Sequence, residues 1–227
     1  MKAIIKILLV VSILLLTYLC IMSIVTPIQF DAEKEAREKV VIEKLVDIRK
    51  AEVEYRDQKG VYTDKFEELI KFLKVAKKKT VMKEGSLSEK QLEAGLTEIQ
   101  AAKIVRSGNR QEIIANGLEG FRRDTGYVDM IEAIFPEKYT VETIDKIALV
   151  PFTEGKEFEL KVNNDYTNKN NIKIPLFQAS VAYEVYLKDL NRQEVLNKID
   201  VQTKLARFPG LMVGSIDAPN NNAGNWE

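Results

Sequence analysis

The side chains that could do chemistry in this chain are carboxylates, amines and hydroxyls, because its 227 residues include no histidine and only one cysteine, Cys20. The missing imidazole removes the commonest general base near neutral pH and the commonest metal ligand. A zinc ion would have to be held by carboxylates alone, a poor donor set for that metal. Paired carboxylates or a Ser/Lys pair could support hydrolysis, but no spacing in the sequence groups them. Asp165-Tyr166-Thr167-Asn168-Lys169-Asn170 is oxygen-rich, yet it lacks the glycine and distal glutamate of a calcium loop and reads as a polar turn. Asn116-Gly117 has no phosphate-binding glycine spacing around it and marks a turn. The residue types thus predict no catalytic group, no metal and no cofactor, and they turn attention to the elements of the chain.

The first element is an apolar run. Residues 7–29 contain no charged side chain and follow Lys2 and Lys6. About 20 such residues, rising 1.5 Å each, cross the hydrocarbon of a bilayer with every backbone group satisfied. The run exceeds the core of a cleaved signal peptide, and no Ala-x-Ala site follows it. The bulky Leu19 before Cys20 argues against lipidation. We therefore expect a retained signal anchor that contacts membrane lipid through residues 7–29. Lys2, Lys6 and the amino terminus favour a cytoplasmic N-terminus of residues 1–6. The body then lies outside the cytoplasm, in the periplasm beside a bacterial inner membrane. Cys20 sits inside the span, so the body holds no internal disulfide.

Lys plus Arg and Asp plus Glu both number 34, so no net field draws the protein to nucleic acid. Its expected partners are other envelope proteins or copies of itself. Lys74, Lys77, Lys78, Lys79 and Lys83 form a basic run, read as a solvated helix end and loop.

Residues 31–58 lack Gly and Pro and alternate in charge, so residues 30–59 read as an amphipathic stalk helix nearly continuous with the span despite Pro27. Val41, Leu45, Ile48 and Tyr55 fall on one stripe and are the candidate protein-interaction residues. The same stripe would serve equally as packing against the helix's own domain. Gly60 stops the helix. Thr63 then caps a second helix carrying Phe66, Leu69, Ile70 and Leu73. Ser86 and Glu89 fit a capping box for a third, lined by Leu92, Leu96, Ile99 and Ala102 and closed by Ser107-Gly108. Residues 109–139 read as short helix and loop within a helical region of 60–139.

From residue 140 to 227 the pattern turns β-rich. Residues 147–152 and 157–162 flank a turn as a hairpin, with Phe158, Leu160 and Val162 alternating with charged neighbours. Residues 172–177 and 181–187 are further strand candidates, and 207–216 holds a short edge strand. Trp226, one residue from the polar C-terminus, is either docked on its own body or an anchor for another chain, with Glu227 available to a receptor. The predicted fold class is α+β: a transmembrane helix continuing into a long amphipathic helix, further helices, then a mostly antiparallel C-terminal sheet.

This order, with Ala51-Glu52-Val53-Glu54-Tyr55 leading through Gly60-Val61-Tyr62-Thr63 to Leu69, resembles type IV pilins and type II secretion pseudopilins over roughly the first seventy residues. No Gly-Phe peptidase site precedes the apolar run, and no glutamate stands near its start. The resemblance implies a pilin-like architecture. The function expected is that of a non-enzymatic, single-pass structural or assembly component of a bacterial envelope complex. The alternative is a membrane-tethered sensory or ligand-binding domain.

Overall fold

The computed structural model describes residues 2–227, and their side chains except at 2, 3, 81–83 and 123–125. It is an α+β protein whose chain divides into two compact units, one built from residues 1–72 and 142–227 and the other from residues 73–141.

In the first unit, helix α1 (Lys2–Lys59) runs unbroken for 58 residues, or about 87 Å. Pro27 lies inside it, where the missing N–H leaves one carbonyl a turn earlier without its helical donor. The lower part is long and apolar enough to cross a membrane, and none of that window is buried. The upper part forms the core of the unit. Phe30, Val41, Leu45, Ile48 and Ala51 are buried and share the interior with Ile144 and Ile147, Phe177, Ala179 and Val181, and Leu211 and Val213. At the top Gly60 adopts φ +82°, where other residues are strained, and donates to the Arg56 carbonyl at 2.7 Å. Helix α2 (Phe66–Val75) follows, with the Thr63 hydroxyl accepting from the Lys65 N–H at 3.2 Å in the turn before it.

The sheet facing α1 has the order β3 (Glu159–Asn163), β4 (Leu176–Ala182), β5 (Gly210–Gly214), all antiparallel. Central β4 is buried over most of its length, and the expected alternation holds in 158–162, where Phe158 is buried and Glu159 and Lys161 are exposed. The outer side of β5 is not a free edge. The Asn225 N–H donates to Met212 O at 3.0 Å, its side chain accepts from Met212 N and donates to Gly210 O, and Gly214 N reaches Ala223 O. The C-terminal tail thus satisfies a row of backbone groups that would otherwise invite pairing with another chain.

Several expectations for this half change, beginning with the strand expected at 172–177, since β4 starts only at Leu176. Residues 147–152 do not form a strand arm: a 3-10 turn (Ile144–Ile147) takes in the first of them and one bridge, Leu149 to Glu157, remains of the hairpin. Residues 181–187 are only a strand end, since Tyr183–Tyr186 turn into the short helix α7, burying Tyr183, Tyr186 and Leu187 together. Helix α8 (Arg192–Lys204) was not foreseen; Asn191 caps it by accepting from Gln193 and Glu194 N–H groups. The elements of the second unit fall between α2 and β3 in the chain.

The second unit overturns the reading of the basic run. Lys77–Glu84 is strand β1, paired antiparallel with β2 (Arg122–Asp129) from Lys77 opposite Asp129 to Glu84 opposite Arg122. A local pattern cannot show a partner so far along the chain, and a two-stranded ribbon lets lysines point to water on both faces. Helix α3 (Glu89–Glu93) begins at Ser88, not Ser86: the Ser88 N–H donates to Gln91 Oε1 at 2.7 Å. The expected third helix is two, since Gly95 at φ +80° separates α3 from α4 (Glu98–Ser107). The proposed stripe holds in part: Leu96 and Ala102 pack against a core of Ala101, Leu118 and Phe121, whereas Leu92 and Ile99 are exposed. Helix α5 (Arg110–Ala115) and, after β2, helix α6 (Met130–Ile134) complete the unit.

Candidate functional site

The candidate interaction residues of α1 are already used inside the protein. Val41, Leu45 and Ile48 are 0% exposed, covered by the chain's own sheet and the 3-10 turn. Tyr55 is half-buried, its ring edge-on to Phe72 at 5.0 Å. Trp226 is half-buried over Gly224, where a Cβ would stand 2.5 Å from the indole. The stripe that sequence alone left open to two uses is therefore an intrachain core in this structure.

Around that core, polar side chains clasp α1 at successive turns. Asp31 pairs with Lys198 at 2.8 Å. Lys34 bridges to Glu38 at 2.8 Å and lies over the Tyr183 ring, while the buried Tyr186 hydroxyl donates to Glu38 at 3.3 Å. Burial, reinforced by the Glu38 charge, pushes the Tyr186 phenol far above its ordinary range. Arg37 grips both oxygens of Asp189, donates to Tyr186 O at 2.9 Å and stacks 5.1 Å from the Phe152 ring centre. The hydrogen bond to Arg37 holds the Asp189 carboxyl below its usual value, and the same bond raises Arg37. Near the top, Arg49 pairs with Glu227 at 2.7 Å and donates to Asn222 O. Arg56 donates to the Tyr62 hydroxyl, which also accepts from Asn222. Glu227, the candidate receptor ligand, is thus engaged by α1 of its own chain.

One ionisable group is sealed in the core. Glu52 is 0% exposed; its Oε2 accepts from the Thr63 N–H at 3.3 Å and its Oε1 has no partner. Burial pushes its carboxyl up to about 8 against the single backbone hydrogen bond, and Asp64 adds to the rise. A strongly perturbed acid marks many active sites. This one has no opening through which a substrate could reach it, so its effect is on stability.

Two clefts among the described residues are lined by amides and charged side chains without a buried acid like Glu52. One of about 690 Å³ lies among α3, α4 and α5 with Lys90, Gln91, Gln100, Lys103 and Asn116 on its walls. Another of about 390 Å³ lies beside α7 and α8, lined by Lys156, Glu184, Lys188 and Arg192. Among the described residues no group of three or more His, Cys, Asp or Glu could hold a metal ion.

Sequence reasoning missed Arg37, Asp189 and Arg49 because their partners lie more than a hundred positions away. Glu52 was legible in principle: four residues after Ile48 and seven after Leu45, it falls on the buried stripe. Comparison with family models, with curated proteins and with solved structures finds no match to this chain.

Proposed function

We propose that this protein is a non-enzymatic, single-pass structural or assembly component of a bacterial envelope complex, with a pseudopilin-like build. The observation that carries the reading is the division of labour within α1. A bare apolar half is continuous with a half whose buried face, from Phe30 to Ala51, is the spine of the folded head. Such a rod fixes the head at a set height above the membrane and transmits force or position without a hinge. The order of apolar helix, amphipathic helix, Gly60 turn and antiparallel sheet supports the likeness to pseudopilins drawn from residues 51–69. With the upper stripe sealed, the bare span is the apolar surface of α1 that neighbouring chains can meet. In this reading residues 1–6 are cytoplasmic and the head is periplasmic or otherwise extracytoplasmic.

The test is crosslinking in living bacterial membranes from single cysteines walked through 13–23, with Cys20 as the native starting point. Assembly through the span gives crosslinks to neighbouring chains that recur every three to four residues, as one helix face would. Protease added to spheroplasts should digest the head. Crosslinks absent at every position, with the chain monomeric after gentle detergent extraction, would overturn the assembly role.

A further inference from the structure

We propose that helix α8 and the turn after it form a foot that lies in the headgroup layer of the membrane α1 crosses, with Val201 and Leu205 dipped among the lipid chains. This rests on the reading of α1 as a membrane span.

Contacts along α1 act as a ruler measured from Gln29, the last residue of the apolar run. Asp189, just before α8, is gripped by Arg37, eight residues or about 12 Å beyond that boundary. Lys198, at the middle of α8, is paired at 2.8 Å with Asp31, only two residues or about 3 Å beyond it. The chain then returns, because Pro209 O accepts from the Tyr183 N–H at 3.0 Å and the Tyr183 ring lies under Lys34. Helix α8 therefore runs down toward the membrane boundary and its second half, with residues 205–208, makes the part of the first unit nearest that boundary. Cover of α1 begins within the apolar run: Val25, Thr26 and Pro27 are partly buried, while Ile24 and Ile28 remain 64% and 63% exposed. Phe30, at the boundary itself, is buried.

The side chains on this foot suit lipid. Val201 and Leu205, one turn apart, are 52% and 56% exposed, and Leu196 is 39% exposed. Water would surround them on a free head, whereas the pairing of Lys198 with Asp31 brings this end of α8 to the level where the apolar run ends. Residues 192–207 carry four cations, Arg192, Lys198, Lys204 and Arg207, against Glu194 and Asp200. Lys198 and Lys204 are paired with Asp31 and Asp200, and Arg192 and Arg207 are left to complement the phosphates of anionic lipid. A foot of this kind would hold the rod upright, since the head would then touch the bilayer at two points.

The full-length chain, with Cys20→Ser, is placed in vesicles of equimolar phosphatidylethanolamine and phosphatidylglycerol. An environment-sensitive fluorophore is attached to Val201→Cys, Leu205→Cys, Val61→Cys or Leu14→Cys, and quenchers are carried at shallow or deep positions of the lipid chains. The expected result is shallow-lipid quenching at 201 and 205 at least about threefold deeper than at 61, which stands near the far end of α1, and deep quenching at 14. If 14 is quenched but 201 or 205 matches 61, the foot is wrong and the anchor stands. If 14 is not quenched, the span falls and the foot with it.

Discussion

Arg37 Nη1 and Nη2 meet Asp189 Oδ1 and Oδ2 at 2.5 and 2.7 Å, a two-pronged pair between residues 152 positions apart. The guanidinium side chain is 11% exposed and the carboxylate 63%, so the two partners are not equivalent. Arg37→Ala leaves Tyr186 O and the Phe152 ring without their contacts as well, and is expected to cost about 1–3 kcal/mol. Asp189→Ala, which removes a solvated group, should cost about 1 kcal/mol or less. Arg37→Lys keeps the charge but loses the fork and should recover under half of the loss. Urea unfolding of the detergent-solubilised chain measures all three.

Glu52 makes stability depend on pH. Its folded-state carboxyl sits at about 8 and an ordinary one at 4.5, so between these values the folded chain holds a proton that the unfolded chain has released. The stabilisation is fully present below 4.5 and is lost as the pH rises through about 8. Glu52→Gln, neutral at every pH, should flatten this fall and raise stability at pH 8–9 by about 2 kcal/mol or more, given about 1.4 kcal/mol per pH unit. Melting curves from pH 5 to 9 compare the two proteins, and parallel curves would count against the buried acid.

Leu45 separates internal packing from packing between chains. Leu45→Ala opens a cavity in the covered core and should destabilise the chain by about 2–4 kcal/mol at any protein concentration. Val40→Ala, on the exposed side of the same helix, should change stability by about 0.5 kcal/mol or less. A Leu45→Ala loss that grew on dilution would instead show that the stripe meets another chain.

Trp226 is the only tryptophan and reports its own docking. A methyl group at position 224 would collide with the indole, so Gly224→Ala should shift the emission toward the red and expose the β5 edge to faster amide exchange. Arg49→Ala, which removes only the pair with Glu227 and a bond to Asn222 O, should produce a smaller shift. Identical spectra for all three proteins would mean that the tail is not held.

Elements whose physics is local were legible in the residues. The uncharged run 7–29, the Gly-free and Pro-free stretch 31–58, the stop at Gly60 and the alternation in 158–162 each carry their own period or punctuation, and each appears in the structure. Apolar periodicity also located the face holding Val41, Leu45 and Ile48, since burial and amphipathic spacing are two descriptions of one surface. What covers that face was not legible, because a stripe has the same spacing whether its cover comes from the same chain or another.

Tertiary structure alone decided the rest. The lysines of 77–83 became a strand because β2 arrives opposite them, and Tyr183–Tyr186 bent into a helical turn because Tyr183, Tyr186 and Leu187 all find cover there. The clasp of Arg37 on Asp189 and the pairing of Arg49 with Glu227 join residues whose separation in sequence carries no signal. The chain by itself thus determined an apolar rod with an amphipathic continuation. Only folding determined that the continuation is the core of its own head, because burial depends on which distant segments close over a surface and not on the surface alone.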